Sequence, residues 1–328
     1  MTENRARRWV GYRPEIRIVD CTIRDGGLMN DHKFTDEVVQ AVYHACSAGG
    51  IDYMEIGYKG ARGMYTEGEH GKWRFCSEDD LKRVVESGDG LVSRTKLSVM
   101  ADVDRTDHKN DLLPREDSEI SMVRVATYIH QIPAAIELVT AAADKGYETC
   151  VNIMALSTAP RNELEGALEL LAKCPTGAIY VVDSFGSLYG EQVREYVDLY
   201  LSHAGPAGKE VGVHNHNNQQ LAFANTIEAI VRGANLVDGS LAGMGRGAGN
   251  CPTELLAGFL HNPRYHLRPL IHCVQHHIEP LRQDVRWGFD IPYMLCGLLN
   301  QHPRSAMEFN ESDRHADWVA FYDEITTV

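Results

Sequence analysis

The sequence predicts an α/β fold, a (β/α)₈ TIM barrel with a small C-terminal helical subdomain. Three observations predict it: eight short runs rich in β-branched residues, helical stretches between them, and chemically active residues clustered where the first, seventh and eighth runs end. The runs are Ile16–Thr22, Tyr53–Tyr58, Leu97–Ala101, Met122–Ala126, Glu148–Met154, Ala178–Val182, Glu210–Val213 and Asn235–Ser240. Most are apolar along much of their length instead of alternating, as parallel strands covered on both sides should be. Regular alternation of strand and helix fits a closed barrel or an open doubly wound sheet. A barrel of eight units takes roughly 250 residues, so a chain of 328 has room for an additional element.

The intervening segments carry helix punctuation. Thr35 precedes a stretch with Val38, Val39, Val42 and Cys46 on one face, closed by Gly49. Ser77 followed by Asp80 resembles a capping box ahead of Leu81, Val84 and Val85. Helical spacing recurs from Asn162 to Lys173, Gly190 to Ala204 and Gln219 to Arg232. After about Leu260 the alternation ends, and Pro263, Pro269, Pro280, Pro292 and Pro303 divide the rest into short helices. The expected organisation is a solvated tail over 1–13, a catalytic barrel over 14–262, and a helical subdomain or lid over 263–328.

Composition narrows the function. With 44% hydrophobic and 24% charged residues the chain is ordinary globular material. A formal charge of −14 argues against nucleic-acid binding, which needs a cationic surface. No segment approaches the ~20 apolar residues of a membrane span. The eight cysteines are scattered singly, without a Cys-x-x-Cys pair, which fits free thiols in a reducing cytoplasm. Arg5, Arg7, Arg8 and Arg13 have no apolar run behind them, so the opening stretch reads as a solvated tail and not a targeting sequence.

Barrel enzymes assemble their sites at the carboxyl ends of the strands. Three clusters fall there: Asp20-Cys-Thr-Ile-Arg-Asp-Gly-Gly27, His214-Asn-His-Asn-Asn218, and Gly243-Met-Gly-Arg-Gly-Ala-Gly-Asn250. Residues two apart on a strand point to one side, so His214 and His216 project together, and Asp25 can complete a face of two imidazoles and one carboxylate. Such ligands suit Mn²⁺, Mg²⁺, Co²⁺, Zn²⁺ or Fe²⁺. A bare His-x-His pair without metal is the competing interpretation, weakened by the agreement of three clusters. The glycine-rich segment reads as a tight loop, with a phosphate cradle the weaker option because its spacing is not that of a P-loop. Arg24 could neutralise an enolate oxygen or match a carboxylate, and could also pair with Glu55. Asn152, Asp183 and Ser184 are expected to line the pocket, or else to serve strand-end turns.

The motifs Asp-Cys-Thr-Ile-Arg-Asp-Gly, His-Asn-His-Asn and Gly-Met-Gly-Arg-Gly-Ala-Gly-Asn resemble those of the metal-dependent barrel superfamily of 4-hydroxy-2-oxovalerate aldolase, hydroxymethylglutaryl-CoA lyase, and the isopropylmalate, citramalate and homocitrate synthases. The resemblance covers roughly Ile16 to Leu260, and the run from Val237 to Asn250 is most like the aldolases. It implies a divalent metal, Mn²⁺ first among Mg²⁺, Co²⁺ and Zn²⁺, held by Asp25, His214 and His216 with Asn250 as a further ligand. It also implies Arg24 as enolate stabiliser, Tyr293 reaching over the site, Gly245 and Gly247 near substrate, and a homodimer. One position departs: the aldolases carry a catalytic histidine three residues beyond the metal aspartate, and here that residue is Leu28. An alkyl chain cannot accept the proton of a 4-hydroxyl. His32 and Tyr293 are the substitutes the sequence offers.

The expected activity is therefore that of a metal-dependent aldolase acting on a 4-hydroxy-2-oxo acid through a metal-bound pyruvate-type enolate, with a 2-oxo acid and an aldehyde as partners. The alternative is a Claisen-type acyl-CoA:2-oxo acid synthase. Two histidines and a carboxylate also serve non-haem iron oxygenases, though usually on another fold, and Leu28 leaves open a non-catalytic scaffolding barrel.

Overall fold

A computed structural model describes residues 13–65, 68–88, 90–91 and 95–327 of the chain. The solvated-tail expectation over 1–13 lies outside them except for Arg13, which is docked, donating to the Ile230 carbonyl at 2.6 Å.

All eight expected strands form: β1 (Arg17–Asp20), β2 (Tyr53–Tyr58), β3 (Lys96–Asp102), β4 (Ile120–Thr127), β5 (Glu148–Ile153), β6 (Ala178–Asp183), β7 (Glu210–Asn215) and β8 (Leu236–Gly239). They pair in chain order, all parallel, and close where Arg17 aligns with Leu236 and Asp20 with Gly239. Closure removes the open-sheet alternative. It also leaves no unpaired strand edge, a physical reason for the barrel to be stable.

The outer layer consists of α2 (Asp36–Gly49), α3 (Glu78–Ser87), α4 (Ile132–Asp144), α5 (Arg161–Lys173), α6 (Gly190–Ala204) and α7 (Ala222–Arg232), and a short α1 (Thr22–Gly26) follows β1 directly. The caps behave as their sequences dictate. Thr35 accepts from the Val38 N–H and Ser77 from that of Asp80. Helix α2 runs through Gly49, and Gly50, at φ 73°, terminates it. A Cβ at Gly50 would fall 2.1 Å from the Arg264 carbonyl oxygen, so both conformation and space require glycine there. Helix α7 begins at Ala222, three residues later than the spacing predicts, because Gln220 turns through φ 59° and the Asn217 side chain accepts from the Ala222 N–H.

Leu, Ile and Val from the helices pack on the outward strand faces in one continuous core. The barrel interior is a smaller cluster of Val19, Cys21, Tyr53, Met122, Cys150, Tyr180 and Leu236. Arg124 lies within it, fully buried and 4.6 Å above the Tyr180 ring. Its guanidinium reaches Glu55 at 3.3 Å and donates to Asp238. Replacing Arg124 with alanine would leave the buried Asp238 carboxylate without its cation and strip Glu55 of one of its two, a loss of about 3–5 kcal/mol. Urea unfolding should show this as a lower midpoint; a midpoint equal to wild type would mean the charges are already neutralised.

The chain then forms α8 (Thr253–Phe259), α9 (Leu267–Cys273), α10 (Ile291–Leu298), α11 (Arg304–Glu311) and α12 (Trp318–Thr326), the expected helical region. Tyr293, Cys296, Ala306, Phe309, Phe321 and Ile325 bury one another there and seat on Ala248 of the glycine-rich loop. That contact brings the helices to the end of the barrel where the strands terminate. No helix among the described residues is long and apolar enough to cross a membrane.

Candidate metal centre

His214 and His216, on and just beyond β7, stand with rings 5.1 Å apart and nearly perpendicular. Asp25 arrives from α1, a short helix that turns back over the barrel mouth, and not from an extension of β1. One ligand atom from each of the three residues lies within 4.8 Å of the other two, and all three side chains are buried. Three points so spaced have a common centre less than about 3 Å from each, close to the ~2.0–2.2 Å of bonds from such ligands.

Hydrogen bonding supports the fit of a cation. His214 Nδ1 is 2.9 Å from Asp238, which fixes the ring and leaves Nε2 for the centre. Asn250, bridged to His216 across the loop, donates its amide to Asp25 at 2.7 Å, while its own Oδ1 is buried without a partner. An orphaned carbonyl beside two imidazoles and a carboxylate is what a further ligand would be. Burial opposes ionisation of Asp25, but Arg24 and the neighbouring histidines hold its carboxyl well below the usual carboxylate range. Burial drives the His216 imidazole well below its ordinary value, so at neutral pH its lone pair is available.

A second cluster, Cys21, His214 and Asp238, lies beneath the first. Arg124 already fills it, donating to Asp238 and to Cys21 Sγ at 3.4 Å, and burial pushes the Cys21 thiol far up. The Arg124 guanidinium repels a further cation and the neutral thiol offers no thiolate to bind one, so the upper cluster is the candidate centre.

Arg24 is gripped from two sides, by Glu55 at 2.6 Å through Nε and by Asp25 at 2.6 Å through Nη1. The pair expected of Arg24 and Glu55 thus forms, and Arg24 lines a cavity of about 80 Å³. That cavity is also lined by Asn152 and Ser184 from the expected set, and by Leu28, Tyr58, Met154 and His302. Asp183 stands behind it, accepting from the Ser187 and Leu188 N–H groups, which is turn chemistry. Gly245 and Gly247 also stand behind: a Cβ at Gly245 would fall 2.4 Å from Asp25, and Gly247 backs onto the Tyr293 ring. The glycine at 245 therefore lets the loop close on the ligands.

Neither substitute for the missing histidine reaches the cavity. Tyr293 lines a separate cleft with Met29, Trp287 and Asn310. His32 is buried under Gly27 with its ring edge-on to Tyr58 at 5.2 Å. Burial, helped by Arg74, lowers the His32 imidazole to about 3. Unfolded, the same ring takes a proton near pH 6.5, so stability is complete above that pH and declines as pH falls towards 3. Between pH 6.5 and 4.5 this one group should cost about 2–3 kcal/mol. Unfolding curves at the two pH values check this, and a His32→Gln variant should lose that part of the slope.

Two residues not singled out from sequence complete the wall. Arg246 reaches the cavity from the glycine-rich loop. His302, just ahead of α11, packs edge-on against Phe185 at 5.6 Å, and burial lowers it to about 4. Its Nδ1 accepts the Arg304 N–H at 3.1 Å, so the neutral ring carries its proton on Nε2.

Comparison with known proteins agrees with this geometry. The chain is 31% identical to 4-hydroxy-2-oxovalerate aldolase 6 of Rhodococcus jostii, over 75% of its own length and 67% of the relative's. It is 30% identical to 4-hydroxy-2-oxovalerate aldolase of Bacillus cereus, over 77% and 71%. The N-terminal domain of a Bacteroides vulgatus protein described as an aldolase superposes with a TM-score of 0.79 at 29% identity, covering 90% of this chain and 97% of that one. The HMG-CoA lyase of Brucella melitensis shares the fold, with a TM-score of 0.63 at 17% identity over 82% and 99%. Residues 15–279 match the model of the HMGL-like family, and the chain belongs to that family.

Proposed function

We propose that this protein is a divalent-metal-dependent aldolase that breaks or makes the C3–C4 bond of a 4-hydroxy-2-oxo acid through a pyruvate-type enolate. The observation that carries this reading is the convergence of Asp25, His214 and His216 beside an Arg24 held rigid by Glu55, all facing one cavity at the mouth of the barrel. Similarity to the 4-hydroxy-2-oxovalerate aldolases supports the substrate class. Bound there, a divalent cation, Mn²⁺ in our reading, supplies Lewis-acid polarisation of a keto oxygen. The chain's own contribution is Arg24, whose guanidinium, fixed by Glu55 and Asp25 at the cavity wall, is preorganised to donate to the oxygen on which enolate charge develops. Asn152 and Ser184 bound the space left for the three-carbon fragment. Eight free, buried cysteines support a reducing, cytoplasmic setting.

The test is proton exchange at the pyruvate methyl group. With Mn²⁺ in D₂O, the methyl signal should decay at a rate that requires both metal and protein, and Arg24→Lys should slow it at least ~100-fold, as loss of one preorganised donor does elsewhere. Absence of exchange, combined with thiol release from acetyl-CoA in the presence of a 2-oxo acid, would replace this reading with the condensing synthase.

A further inference from the structure

Arg246, in the middle of the glycine-rich loop, donates its backbone N–H to Asp25 at 3.2 Å, but among the described residues its side chain bonds to no ligand of the metal centre. It borders the small cavity and also an adjoining cleft of about 520 Å³, lined in part by Leu28, Tyr128, Met154 and Met307. Arg246 therefore stands where the two spaces meet.

Its bonding is incomplete. Nη2 donates to the Ser184 carbonyl at 2.9 Å, while Nε is buried and has no partner. Among the described residues no carboxylate lies within ion-pair distance of it. The other two guanidiniums of the site behave differently: Arg24 bridges Glu55 and Asp25, and Arg124 bridges Glu55 and Asp238. A half-buried guanidinium with an unmet donor is best satisfied by a planar anion that accepts two parallel bonds.

Charge counting leads to the same ligand. Among the charged residues lining the small cavity, Arg24 and Arg246 outweigh Asp25 by one positive charge before any divalent cation is counted, which matches a ligand carrying a carboxylate.

We propose that Arg246 binds a substrate carboxylate. This rests on the enolate reading given above. The carboxylate belongs either to the 2-oxo acid in the small cavity or to an acceptor in the cleft, and the junction position of Arg246 serves both.

The experiment uses the full chain loaded with Mn²⁺, as wild type, Arg246→Gln and Arg246→Lys. Calorimetric titration of pyruvate and methyl exchange report on the first source. Aldol addition to glyoxylate, compared with acetaldehyde, reports on the second, since only glyoxylate carries the acceptor carboxylate. In Arg246→Gln, either the pyruvate Kd and KM rise at least tenfold, or the glyoxylate KM rises at least tenfold relative to that of acetaldehyde, and Arg246→Lys recovers part of the loss. Either result supports the proposal and names the source. The proposal is overturned if every Kd and KM stays within twofold of wild type, including the case in which kcat and Tm fall together, which would make Arg246 only an anchor for Ser184. Should wild type show no exchange at all, the aldolase reading fails, and the pyruvate titration still decides the role of Arg246.

Discussion

Replacing His216 with alanine is expected to lower Mn²⁺ affinity by more than ~100-fold, because losing even an outer-shell partner of a ligand typically costs 10–100-fold. Pyruvate methyl exchange should fall to background in the same variant. The reason lies in how little else could hold the ion. Asp25 is already committed to Arg24 through one oxygen and to Asn250 through the other, and His214 is fixed by Asp238. With one imidazole gone, a carboxylate, a single ring and the neutral Asn250 carbonyl remain, and such a set competes poorly with the hydration of a hard cation. Calorimetric Mn²⁺ titration measures the affinity directly. A His216→Ala protein that bound Mn²⁺ as tightly as wild type would place the ion elsewhere, and the enolate reading would fall with it.

The same centre shows what the sequence could and could not convey. His214 and His216 were legible because a strand sends alternate residues to one side, so two letters fixed a direction. Asp25 was legible as a residue but not as an element, since it sits inside a five-residue helix that follows β1. Asp238 had a readable signal. The register aligns Gly212 with Leu236, so His214 and Asp238 stand level, two residues further along adjacent strands. Arg124 had one too, as a lone arginine in an otherwise apolar run. His302 had none, because it meets the cavity only through the packing of the C-terminal helices on Ala248, and no local pattern encodes that contact. The eight strands are legible because each is covered on both faces, whereas α1 and α4 carry little signal: α1 is too short for periodicity, and α4 is alanine-rich with little contrast between its faces.

Introducing a histidine at position 28 is expected to accelerate retro-aldol cleavage of 4-hydroxy-2-oxovalerate by about 100-fold, the lower end of the 10²–10⁴ that a positioned base contributes. Leu28 lines the cavity beside Arg24 and Asp25, and packs on Tyr58, Met100 and Ala126, so its side chain faces the place where a 4-hydroxyl would lie. The other groups around that space are poor acceptors. Burial pushes the Tyr58 phenol up to about 12, so it stays protonated. His302 is neutral, but its Nδ1 lone pair is engaged by the Arg304 N–H and its Nε2 carries the proton, which makes it a donor. His214 and His216 point at the metal centre. A proton leaving the 4-hydroxyl therefore finds no free side-chain acceptor in the small cavity, carboxylates such as Asp102 lining only the adjoining cleft, and an imidazole at position 28 would intercept it. The gain should appear in kcat with little change in KM, and should fade as pH drops below the pKa of the new ring. If Leu28→His left the rate unchanged, the wild-type protein would already own a competent base, and the assignment of His302 as a donor would be the first to fall.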